Sequence, residues 1–282
     1  MALITKPIGA IVSDGPSWLK RYFMVSTPIL WVDSVSGSDT NDGTNPAKPK
    51  ATIFGGSGAH SVAVSGDATI IIVYKTHRES ISGFSMSKSG VTLVSLGTGG
   101  TDGTDRAQIT VSSAMNGAIS LLSDDVRIEN FYFPRASVSP GSLARIGLSS
   151  TGGEIRDCQF DIGTTDLSIV NVSSGAGAGN SIRGCKFKVG SDVTSVQANC
   201  AGVTISAAGT LVEDCTFDGG TVGFGSSTTA GGAFVVSLAT ADRFRIRNAT
   251  LNNYSVGRIP LSGTKGVVDA NFDATSRLDW TE

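Results

Sequence analysis

Val126-Arg127-Ile128-Glu129-Asn130-Phe131-Tyr132-Phe133 carries a pattern that five later stretches repeat: apolar, variable, small polar, small or apolar, variable, apolar. The repeats are Ile155-Arg156-Asp157-Cys158-Gln159-Phe160, Ile182-Arg183-Gly184-Cys185-Lys186-Phe187, Val212-Glu213-Asp214-Cys215-Thr216-Phe217, Ile246-Arg247-Asn248-Ala249-Thr250-Leu251 and, more divergent, Val267-Val268-Asp269-Ala270-Asn271-Phe272. Their closing apolar residues stand at 133, 160, 187, 217, 251 and 272, so the steps are 27, 27, 30, 34 and 21 residues. A recurrence of roughly 20–50 residues marks a solenoid, propeller or array. Apolar residues alternate within each repeat, the period of a strand whose two faces differ. One short strand cannot bury its inner face alone, so the repeats must stack.

Stacking at a strand spacing of about 4.8 Å predicts Cys158, Cys185 and Cys215 at one inward position and Phe160, Phe187 and Phe217 at another. The expected fold is all-β, a parallel β-helix. Leucine-rich repeats need a Leu framework, helical repeats need a 3.6-residue period, and propeller blades are longer and hold four strands.

Composition agrees with many tight turns and short strands: 36 Gly in 282 residues, 7% aromatics and 16% charged residues. A net charge of -2 without a basic stripe argues against nucleic acid as a partner. Three of the four cysteines share one repeat position, which predicts buried, reduced thiols acting as small hydrophobes. His60 and His77 are the two histidines, and no Cys and His cluster has metal-site spacing, so no cofactor is expected. Neither a signal peptide nor a membrane span is indicated, and assembly in a cytoplasm is expected.

The two ends differ from the middle. Residues 1–30 are expected to form an N-terminal arm or cap and residues 31–282 the β-helix. Ile4, Pro7, Ile8, Trp18, Tyr22 and Phe23 make the first segment too apolar for a disordered tail. It either covers the exposed end of the first coil or docks on a neighbouring chain or larger particle. Trp280 is expected to cover the last coil. Pro134 to Gly147, Ser173 to Gly179 and Gly219 to Gly232 are expected as loops, which in solenoids emerge on one face.

The run from Leu30 to Pro46 reads Leu-Trp-Val-Asp-Ser-Val-Ser-Gly-Ser-Asp-Thr-Asn-Asp-Gly-Thr-Asn-Pro, followed by Thr52-Ile53. This opening resembles that of right-handed β-helix proteins of the pectin-lyase-like superfamily, and it is similar to the opening of bacteriophage tailspike-like and virion proteins. The match covers about twenty residues; the later coils match only in architecture. The resemblance implies a right-handed coil and a phage virion protein, typically a homotrimer. It further implies a capsid decoration or cement protein that meets the major capsid protein or another virion protein at the capsid surface. The sequence as given is too short for a long catalytic solenoid plus a large terminal domain. The alternative is a tailspike or receptor-binding depolymerase acting on bacterial surface polysaccharide.

Three groups of polar residues are candidates for chemistry. Asp33, Asp39 and Asp42 offer oxygen ligands for Ca²⁺ but lack EF-hand spacing, and Asp and Asn also serve turns. Asp161, Lys188, Asp218, Asn252 and Asp273 follow the closing apolar residue of successive repeats. Of these, Asp161 and Asp218 are the catalytic candidates for a glycosidase, which needs a carboxyl pair. The alternation of sign at this position is explained by cross-strand ion pairing without catalysis. Asp157, Asp214, Asn248 and Asp269, with Gly184 at the equivalent place, are expected to serve turns or stacked ladders. Arg127, Arg156, Arg183 and Arg247 are expected to form an exposed basic row broken by Glu213. Gly97 to Thr104 is glycine-rich but lacks the Lys of a phosphate loop, and neither His has an evident Ser or Cys partner.

Overall fold

The computed structural model describes residues 28–66, 68–98, 105–111, 119–135, 145–163, 168–173, 176–190, 193, 201–219, 233–237, 243–252, 257–260, 267–272 and 278–281. Residues 1–27, with the six apolar residues expected to dock, lie outside this set, as do the Trp280 side chain and Asp273.

The first four repeats are each two short strands meeting at a bend, where the sequence pattern suggests one continuous strand, and the last two run as single strands, Arg245–Asn252 and Val267–Phe272. Glu154–Arg156 runs into Gln159–Ile162, Ser181–Arg183 into Lys186–Val189, and Leu211–Glu213 into Thr216–Asp218. The bend falls on the small polar residue. Asn130, Asp157, Gly184, Asp214 and Asn248 have φ of 64, 50, 61, 55 and 47°. Left-handed backbone suits Gly, Asn and Asp and penalises other side chains, which explains the residue types found there. Gly184 follows the same rule, and any Cβ there would lie 2.2 Å from Oδ1 of Asp157. Bend amides stay bonded between coils: Asp157 N–H donates to Arg183 O at 2.8 Å and Gly184 N–H to Glu213 O at 2.9 Å.

Three faces result. The first carries Ile29–Val32, Ile70–Val73, Thr92–Ser95, Arg127–Glu129 and their successors; the second carries Arg78–Ile81, Gln108–Val111, Tyr132–Phe133 and the strands after each bend. The third holds Phe84–Met86, Ile119–Leu121, Ile146–Leu148, Ser168–Val172, Ala201–Ile205 and Ala233–Ser237. Strand pairing between successive coils is parallel throughout. Parallel crossovers wind right-handed in nearly all proteins, and the chain is a right-handed parallel β-helix. Residues 146 and 147, expected in a loop, belong to a third-face strand whose Ile146 and Leu148 are buried. The divergent last repeat has one residue fewer across its bend, so its register against Arg245–Asn252 shifts between Ile246 and Ala249.

Like residues meet like inside the coil. Phe133, Phe160, Phe187 and Phe217 form one column with centroid separations of 4.8, 5.1 and 4.7 Å and interplanar angles of 11° or less. Each fully buried Phe contributes about 1.5–3 kcal/mol of transfer free energy. Cys158, Cys185 and Cys215 are buried and free, as the repeat position predicts. Burial pushes the Cys185 thiol well above its ordinary pKa, so Cys185 is a thiol and not a thiolate at neutral pH.

A short helix, Ala59–Val62, turns His60 into the first coil, where its ring meets Phe84 edge-on at 4.9 Å. Burial, helped by the Lys88 ammonium, lowers the His60 pKa to about 4.

Two outcomes follow from these contacts. Asp214→Val should cost about 1–3 kcal/mol by forcing a β-branched residue to positive φ, whereas Asp214→Gly should lose much less; urea denaturation measures both. His60 stays neutral in the folded chain and takes a proton on unfolding, so its contribution is full above pH ~6.5 and is lost as pH falls toward 4, by about 3 kcal/mol. His60→Phe should flatten the dependence of the urea midpoint on pH between about 6.5 and 5.

Candidate functional site

The acidic residues of the opening segment serve three separate turns. Asp39 accepts the backbone N–H groups of Ala51 (3.0 Å) and Thr52 (2.9 Å) and the Thr52 hydroxyl (2.8 Å), tying two distant parts of the loop together. Asp33 accepts the Ser36 hydroxyl at 2.6 Å, the Thr76 hydroxyl at 3.0 Å and the Val35 and Ser36 amides. Burial opposes its charge, but these donors outweigh burial and hold its carboxyl below the ordinary value. Asp42 accepts the Thr44 amide at 2.9 Å. Among the described residues no three His, Cys, Asp or Glu side chains gather as a metal site requires.

The second-face row is in the register the sequence predicts: Asp161 opposite Lys188, Lys188 opposite Asp218, Asp218 opposite Asn252. Asp161 and Asp218 are therefore two coils apart, about 10 Å, with a cation between them. Asp161 is held in place by its own coil and the one before. The Tyr132 hydroxyl donates to its Oδ2 at 2.6 Å, and Gln159 Nε2 donates to its Oδ1 at 3.3 Å. Burial and the Asp161 carboxylate together push the Tyr132 phenol up, so Tyr132 is a hydrogen-bond donor at neutral pH.

The expected arginine row has different members. In register the first-face row reads Glu129, Arg156, Arg183, Glu213, Arg247. Arg127 belongs to the row two residues upstream, opposite Glu154, with which it forms an ion pair at 2.5 Å. Relative to the buried isoleucine of each repeat, Arg127 precedes Ile128 whereas Arg156 follows Ile155. Charges balance in the early coils and become positive in the later ones.

There, a groove of about 490 Å³ is lined by Arg183, Arg243, Arg245 and Arg247 together with Ser181 and Thr210. The stretch Arg243-Phe244-Arg245-Ile246-Arg247 alternates arginine with a buried residue, so the exposed Arg245 and Arg247 of the strand are joined by Arg243 from the turn before it. That alternation was readable in the sequence, but the repeat pattern drew attention to Arg247 alone. The small residues Ala178, Gly179, Ala208 and Gly209 also line the groove.

Sequence reasoning also passed over Glu79. Its carboxylate accepts the amides of Ile53 (2.8 Å) and Phe54 (3.0 Å) and meets Nε2 of the fully buried His77 at 3.0 Å. Glu79 thus fastens the end of the opening loop to the second face, a contact between residues 25 and 26 positions apart that local pattern does not reveal.

Neither a protein-family model nor a curated protein matches the chain. Among solved structures, the crystal structure of pectate lyase Pel9A is similar over 91% of this chain and 75% of that one, with a TM-score of 0.49 and 13% identity. The β-helix assignment rests on the strand register above.

The Tyr132 and Asp161 contact is measurable by a double-mutant cycle. Tyr132→Phe and Asp161→Asn should couple by about 1–2 kcal/mol in denaturant unfolding, and strictly additive losses would contradict the contact.

Proposed function

We propose that this chain is a non-catalytic bacteriophage virion protein, a trimeric decoration or cement component of the capsid surface held there by residues 1–30. The observation that carries the non-catalytic part is the row Asp161, Lys188, Asp218: its carboxylates stand two coils apart with a lysine between them. A retaining glycosidase needs its carboxyls about 5–5.5 Å apart and an inverting one about 6.5–9.5 Å, and a row of alternating sign serves sheet stability without chemistry. The virion part is supported by the opening from Leu30 to Ile53, whose resemblance to phage proteins extends over the loop that Asp33 and Asp39 organise. The segment 1–30 enters the solenoid at Ile29–Val32, beside an apolar cluster of Trp31, Ile70 and Ile72 that is separate from the main core.

A second reading, a depolymerase of bacterial surface polysaccharide, is favoured by the groove on the first face. Asp161 and Asp218, on the second face and outside that groove, are the carboxylates to replace, and loss of oligosaccharide release with the fold retained would assign them to catalysis.

Removing residues 1–27, which spares the first strand Ile29–Val32, should abolish attachment to phage particles, scored by immunogold labelling of capsids, while the solenoid keeps its thermal transition. Attachment that survives the deletion, or label confined to the tail, would overturn the decoration reading.

A further inference from the structure

The geometry points to the arginine groove of the later coils as a binding site for an acidic polysaccharide, one bearing carboxylate or sulfate groups along its chain. This goes beyond the virion assignment and does not depend on it.

Arg245 and Arg247 lie on one strand, two residues apart and so about 6.6 Å along it. Arg183 stands in the same row as Arg247, two coils away, at about 10 Å. Arg243 completes the set from the turn just before the strand, where its φ is 53°. Four guanidinium groups thus form a grid facing one shallow groove, against one carboxylate in their row, Glu213, which lies 3.7 Å from Arg183. The neighbouring Asp214 occupies the bend and accepts from Asn248 at 2.8 Å.

Guanidinium forks match carboxylate and sulfate oxygens bidentately. Ser181 adds a hydroxyl group to the lining, the kind of partner that sugar hydroxyls require, whereas the buried Thr210 hydroxyl already donates to Ala207 O at 3.1 Å. Alanine and glycine in the lining let a polymer approach the backbone. Single-stranded nucleic acid would instead need aromatic platforms for its bases, and no aromatic residue lines the groove among the described residues. A chain of net charge -2 also lacks the general basicity of a nucleic-acid binder.

The test is titration of the full chain with four polymers: alginate, dextran sulfate, neutral dextran and poly(dT). Alginate and dextran sulfate should bind, weakening as salt is raised, and neutral dextran should not. Arg245→Glu with Arg247→Glu should weaken binding by at least about tenfold, and Arg156→Ala on the same face should leave it unchanged. If the charge-reversed pair fails to fold, Arg245→Gln with Arg247→Gln removes the same charges with little change of shape. Wild-type affinity in the folded double variants would overturn the inference. So would equal binding of neutral dextran, or tighter binding of poly(dT) than of either polysaccharide.

Discussion

One backbone conformation per coil organises this molecule. At Asn130, Asp157, Gly184, Asp214 and Asn248 the chain adopts positive φ, and the strand turns a corner there instead of running straight. The residues on both sides then point inward: Ile155, Cys158 and Phe160 are all fully buried although a straight strand would alternate them with the outer side. Parallel bonding through the corner keeps successive coils in step, so each column repeats one side chain. A residue that resisted the corner would disturb two faces at once.

The apolar frame was legible because columns of identical residues leave identical letters at a regular interval. The Phe and Cys columns could therefore be placed without knowing about the corner. The corner itself was hidden, since Asn, Asp and Gly at one site suggest a turn or a polar ladder equally well. The third face was harder still. Its strands include Phe84–Met86 and Ile119–Leu121, three residues each, and so short a run carries too little alternation to stand out from a Gly- and Ser-rich background.

Polar residues were legible in proportion to how local their partners are. Asp42 bonds two residues away and its turn role was foreseeable. Asp39 reaches Thr52, 13 positions on, and Glu79 reaches Ile53, 26 positions back, so both roles needed the fold. The charged rows sit between these cases. Their register followed from the repeat, but Arg127 and Arg156 fall on opposite sides of the apolar residue used to align it. The same displacement concealed that positive charge collects in the later coils.

The steps between closing residues lengthen from 27 to 34 while the first and second faces keep their register. Insertions are thus absorbed outside the ladder, since closing a longer loop costs only about 0.6 kcal/mol per doubling. The coil behaves as a rack on which loops are interchangeable. Grafting a foreign peptide between the second and third faces would use this tolerance, and a stack of several coils would present such peptides as an evenly spaced array.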